Sequence, residues 1–120
     1  MHGHKYLLTD VLRDQMGFNG LVVGDWNGHG EVPGCTNANC PESFNAGVDI
    51  YMAPDEWKEL YTNTVRAVKS GDISEDRLDD AVRKILTVKD RLGMLDGRKP
   101  HEYENYVGKT EHMKLSLIHI

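Results

Sequence analysis

Apolar residues at Leu7, Leu8, Val11, Leu12 and Met16 recur at i, i+1, i+4, i+5 and i+9, which predicts a helix over residues 4–16 stopped by Gly17. Asn19-Gly20 then makes a turn, and Leu21-Val22-Val23 forms a short apolar run ending at Gly24-Asp25-Trp26. A run without polar alternation fits a parallel strand buried on both faces. Residues 27–41 are rich in glycine, proline and asparagine and hold both cysteines, so a long loop is expected, and its length suggests function. Pro41 opens a short helix through Phe44 and Ala46, closed by Gly47. Val48 to Ala53 reads as a second strand, stopped by Pro54.

Two amphipathic helices follow. Asp55 is placed to cap the first, whose apolar stripe is Trp57, Leu60, Tyr61, Thr64, Val65 and Val68, with Gly71 as terminator. Ser74 is placed to cap the second, with Ile73 and Leu78 spaced for a hydrophobic staple. That helix is expected to bury Leu78, Ala81, Val82, Ile85, Leu86 and Leu92 and to end at Gly93. Strands separated by helices imply βαβ crossovers and a parallel sheet, hence an α/β fold. Two parallel strands make no self-sufficient sheet, because both leave open edges. The pattern therefore predicts the last two β/α units of a (β/α)8 barrel, whose full size is roughly 250 residues. On this reading the isolated chain should fold poorly and turn over no substrate.

Composition changes this picture little. The chain has 120 residues with 39% hydrophobic content and a net charge of −5. Lys and Arg are interleaved with Asp and Glu, which argues against nucleic acid or an anionic membrane as partner. No run approaches the ~20 apolar residues of a membrane helix. The first residues lack the apolar segment of a signal peptide, and Met1 reads equally as an internal methionine of a longer chain. Beyond Pro100 the chain turns polar, as an interdomain linker would. Residues 115–120 fit nothing before them and look like a translated sequencing adapter, so they are set aside as a non-native tail.

Asp25 is the focus for chemistry. The carboxyl ends of strands are where barrel active sites are built, and a carboxylate there suits a nucleophile. A helix-capping or loop-bonding role fits its position equally well. Trp26 offers a flat apolar face for a pyranose ring, or a lid over the barrel mouth. Cys35 and Cys40 are close enough to bridge, which would point to an oxidising compartment. A zinc site is the poorer reading, since there is no second cysteine pair and His2, His4 and His29 show no ligand spacing. Asp49, at the start of the second strand, is expected to have a structural role. Asp79 and Asp80 should be solvated charges on a helix face. Gly28-His29-Gly30 lacks the third glycine and the lysine of a phosphate loop.

The stretches His4 to Leu12 and Met16 to Trp26 closely resemble glycoside hydrolase family 3, in which a strand reading G-F-V-V-(S/G)-D-W presents the catalytic nucleophile. The resemblance continues through Ala46 to Met52 and Arg77 to Leu86, and covers residues 1 to 114. It implies that residues 1–95 are the C-terminal part of the family's barrel domain, 96–107 an interdomain linker and 108–114 the start of a second domain. It implies a retaining exo-acting β-glucosidase with Asp25 as nucleophile, Trp26 in the subsite of the leaving sugar, and no cofactor or metal. The segment Val32 to Asn37 through Cys40-Pro41 looks like the branch of β-glucosidases and exo-1,3/1,4-β-glucanases, which favours a β-linked glucoside substrate and a periplasmic or secreted parent enzyme. In that branch the acid/base glutamate comes from the second domain of the same polypeptide. β-Xylosidases and N-acetylglucosaminidases share the nucleophile strand and stay open, as does a non-catalytic binding module. An α/β enzyme of another family, with Asp25 as a metal ligand, is a further rival that loss of activity on chelation would support.

Overall fold

A computed structural model describes residues 1–97 and 110 of the chain. The expected linker beyond Gly97 and, Thr110 apart, the expected second-domain start and tail lie outside the described residues. The element order is a helix at Tyr6–Gln15, β1 (Val23–Trp26), α1 (Pro41–Ala46), β2 (Ile50–Met52), α2 (Trp57–Ser70) and α3 (Glu75–Arg91). This is the expected order, and β1 and β2 pair in parallel, as an α/β fold requires.

The first helix is wound more widely than an α-helix. Its turns close on the residue five back, as in the 2.9 Å bond from the Met16 N–H to the Val11 carbonyl. Apolar positions four and five residues apart suit that wider turn, and Leu8 is the one they bury. β1 is shifted toward Trp26, and β2 is shorter than expected. Leu21 and Val22 precede β1, and Asp25 and Trp26 lie within it rather than after it. The reason is where the backbone finds partners: the Val22 carbonyl already receives the N–H groups of Asp49 and Ile50, at 2.9 and 3.2 Å. β1 also slips in register. Val23 faces Ile50 and Trp26 faces Met52, so three steps along β1 match two along β2. One extra residue is thus accommodated beside Asp25, a β-bulge, and such bulges re-aim side chains.

Two apolar clusters meet at Tyr51. Leu8, Ala46 and Val48 form one, with Val22 against it. Phe44, Ala67, Ile73 and Ala81 form the other, joined by Val68 and Leu78. Gly47 turns the chain from α1 into β2 at φ 120°, and a β-carbon there would come within 3.1 Å of Thr9 Oγ1. Ser74 caps α3 as expected, its Oγ accepting from the Arg77 N–H at 3.2 Å. Asp55 does not cap α2. Glu56 holds that position, because the Asp55 carboxylate accepts instead from Asn27 Nδ2 at 3.2 Å.

Much of the expected core is uncovered. Trp57 and Tyr61 on α2 are 55% and 69% exposed, and Leu92 after α3 is 67% exposed. Val82, Leu86, Val23 and Trp26 are exposed too. Their spacing does mark apolar faces, but among the described residues these side chains stay largely open while Leu60 and Ala81 of the same helices are buried. No described helix is long and apolar enough to cross a membrane.

Candidate active site

The site is built at the carboxyl ends of the two strands. Asp25 is exposed there, and its Oδ1 accepts the Trp26 N–H at 2.7 Å. Three further backbone donors of this corner are bonded. The Asp25 N–H goes to His2 Nε2 at 2.9 Å, the Asn27 N–H to the Met52 carbonyl at 2.9 Å, and the Gly28 N–H to the Asp25 carbonyl at 2.9 Å. The backbone around Asp25 is therefore held on both sides, while the residue itself is exposed. Asn27 takes a left-handed φ of 52°, and its bond to Asp55 clips the loop after β1 to the loop after β2. Trp26 is 66% exposed beside Asp25.

The second carboxylate of the strand pair is placed very differently. Asp49 has a fully buried side chain, with Arg13 Nη2 at 2.6 Å from Oδ2 and Arg77 Nη2 at 2.8 Å from Oδ1. Its Oδ2 also accepts the Val22 N–H at 2.8 Å. Arg13 reaches on to the carbonyls of Gly20 and Gly47, and Arg77 to those of Phe44 and Val48. Asp49 thus joins the first helix, the root of β1, α1 and α3. This is the structural role its position suggested. Asp79 is exposed as expected, but Asp80 is not simply solvated. Partial burial pushes Asp80 up, yet its contacts with Lys84 and Arg77 outweigh that and hold it below the usual carboxylate range.

The long loop is ordered by the Cys35–Cys40 disulfide and by buried polar contacts. His29 is 1% exposed, with Nε2 donating to the Asn37 carbonyl at 2.9 Å and its ring 4.7 Å from that of Tyr51. The Tyr51 hydroxyl donates to the Cys40 carbonyl at 2.6 Å, and Asn63 Nδ2 donates to the Ala38 carbonyl at 2.9 Å. Cys35, Cys40 and Glu42 bring ligand-type atoms within 4.8 Å, but sulfurs bonded to one another offer no thiolate to a cation.

The model of the glycosyl hydrolase family 3 N-terminal domain matches residues 1–88. The chain belongs to that family. It is 33% identical over 113 residues to β-glucosidase B of Emericella nidulans, an alignment covering 93% of this chain and 12% of the relative. It is 38% identical over 102 residues to a periplasmic β-glucosidase of Salmonella typhimurium, covering 81% of this chain and 13% of the relative. Among solved structures, the exo-1,3/1,4-β-glucanase of a Pseudoalteromonas species superposes with a TM-score of 0.86 at 44% identity, over 95% of this chain and 15% of that one. The chain thus spans about an eighth of the length of these curated relatives.

Of the residues singled out in the sequence, Asp25 and Trp26 lie together at one strand end, and the cysteines bridge in the loop that leaves it. Sequence reasoning missed His2, which carries no metal-ligand spacing and sits far from Asp25 along the chain. It also missed Arg13 and Arg77 as partners of Asp49. The available signal for Arg77 was its place four residues before Ala81, on the apolar side of its helix.

Two expected results belong here. Replacing both cysteines by serine should cost about 2 kcal/mol, the loop-entropy value for so short a ring, read as a lowered melting temperature. An unchanged melting temperature, or two free thiols by mass spectrometry of the unreduced enzyme, would remove the bridge from the account. The second result concerns Tyr51. Burial pushes its phenol well above the ordinary value, so the folded state keeps the proton that the unfolded chain releases above about pH 10. The native state then binds more protons, so stability falls as pH rises through that range. Tyr51→Phe should cost about 1 kcal/mol at pH 7 through the lost bond to Cys40, and the gap from wild type should narrow in alkali. A constant gap at all pH values would contradict this.

Proposed function

We propose that this chain is the nucleophile-bearing part of a retaining exo-acting β-glucosidase, with Asp25 attacking the anomeric carbon of a terminal β-linked glucosyl unit. The observation that carries the reading is the contrast between the two strand carboxylates. Asp25 is exposed at the strand ends with one oxygen held by Trp26, whereas Asp49 is sealed between two arginines. Family membership gives the reaction class, and the likeness to the glucanase supports the glucose-specific branch.

In a retaining mechanism two carboxyl groups lie about 5 Å apart across the scissile bond. The Asp25 carboxylate forms an ester with the anomeric carbon as the leaving oxygen departs with a proton from the acid/base. Water then attacks the anomeric carbon, giving its proton back to that same group, and the bond to Asp25 breaks to release the carboxylate. The acid/base is a glutamate of the enzyme's second domain. Trp26 stacks on the leaving sugar. The described residues form the last two β/α units of the barrel, and the uncovered faces of β1, α2 and α3 are where the remaining units pack, since large exposed apolar patches mark missing partners. The disulfide and the periplasmic relative support an enzyme working in the periplasm or outside the cell. Labelling the full-length enzyme with a 2-deoxy-2-fluoroglucoside and mapping the modified peptide tests the reading. The label should fall on Asp25, and a label on any other carboxylate refutes it.

A further inference from the structure

The Asp25 N–H sits where the pairing of β1 with β2 slips, and it turns to a side chain instead of the sheet. That side chain is His2, whose Nε2 lies 2.9 Å away and accepts the bond, so the ring is neutral with its proton on Nδ1. The ring is wedged against the loop after β1. A β-carbon at Gly28 would stand 2.3 Å from the ring's Cε1 and 2.6 Å from Nε2, so only glycine leaves room for it. A β-carbon at Gly24, by contrast, would stand 3.6 Å from the ring, an ordinary contact. His2 and Gly28 therefore fit each other as a pair. The pair grips one peptide group, the one preceding the Asp25 side chain.

We propose that His2 is a positioning residue for Asp25: by accepting its backbone N–H at the bulge, it fixes the direction in which the carboxylate leaves the strand. The inference rests on Asp25 being the nucleophile. Without His2 this N–H loses its acceptor, and the side-chain anchor of Asp25 does not replace it, because that anchor is the N–H of its own neighbour, Trp26. A carboxylate displaced by about 1 Å from the line of attack loses on the order of 100-fold in rate, so the effect belongs on the bond-forming step and not on binding.

The test uses the full-length enzyme and a 2-deoxy-2-fluoroglucoside, following both the first-order rate of glycosylation and the inactivator's dissociation constant. His2→Phe keeps a ring of similar size without the acceptor. His2→Gln places an amide oxygen at a similar reach. Gly28→Ala keeps the histidine but pushes its ring away. Glycosylation should slow about 10- to 100-fold in His2→Phe and Gly28→Ala, with the dissociation constant changed by less than about 3-fold, and His2→Gln should recover most of the rate. Melting temperatures of the three variants should stay close together, which separates positioning from general loss of fold. Wild-type rates in His2→Phe would overturn the inference while leaving the nucleophile intact. A His2→Gln variant as slow as His2→Phe would overturn it too, because restoring an acceptor at that reach would then not restore the rate. A wild-type label on a residue other than Asp25 would bring down the nucleophile reading itself, a distinguishable failure.

Discussion

Replacing Asp25 by glycine in the full-length enzyme should cut turnover of aryl β-glucosides by three orders of magnitude or more, equivalent to about 4 kcal/mol of transition-state stabilisation. The attacking oxygen is lost, and with it the covalent route. The fold should survive, because Asp25 is exposed and, among the described residues, its side chain is bonded only to the N–H of the next residue. Glycine also leaves an empty space on the side of the sugar from which the carboxylate attacked. Azide can enter it and displace an activated leaving group once, so the product should be the α-glucosyl azide with part of the rate restored. Asp25→Asn should be equally slow without rescue, since the amide fills that space. The acid/base must still be present for deglycosylation in the wild type, but an activated substrate does not need it for this single displacement. A β-configured azide product, or undiminished activity in either variant, would show that Asp25 is not the nucleophile.

The sequence carried the order of elements because each boundary had a local chemical cause. Ser74 caps α3, Gly71 closes α2 in a left-handed conformation, and Pro41 and Gly47 bracket α1. Asp25 was legible as a candidate site for the same kind of reason: a carboxylate at the end of an apolar run. Four features were not legible, and all depend on distant partners. The bulge in β1 arises only when Val23 and Trp26 meet Ile50 and Met52. Asp55 looked like a cap because its competing partner, Asn27, lies across the strand ends. The apolar stripes of α2 and α3 follow from periodicity, yet Trp57, Tyr61, Val82 and Leu86 stay exposed. Periodicity reports which face is apolar; it does not report whether the covering element is present. His2 is the sharpest case. Nothing in Met1-His2-Gly3 marks a contact with Asp25, and the pairing with Gly28 is visible only in three dimensions.

Removing the Asp49 carboxylate should be the most destabilising single change in this segment. Three donors converge on it: Arg13, Arg77 and the Val22 N–H. Asp49→Ala leaves two guanidinium groups facing each other in a buried space, for which about 3–5 kcal/mol is the usual cost of orphaning a buried charge. In a protein of this class that should lower the melting temperature by roughly 10 °C and reduce soluble yield. Asp49→Asn should rescue only part, because its amide nitrogen would turn a donor toward a donor. Substituting apolar residues for the whole triad often repairs such a site. Here it would also strip the guanidinium donors from the carbonyls of Gly20, Gly47, Phe44 and Val48, so the triple variant should remain unstable. The damage should spread to the active site, because the Val22 bond holds the root of β1 only three residues before Asp25. Asp49→Asn enzyme that remains folded should therefore also lose turnover number, with KM affected less. An Asp49→Ala enzyme that melts within 2 °C of wild type, against the roughly 10 °C expected, would show that the network is not what holds β1 in place.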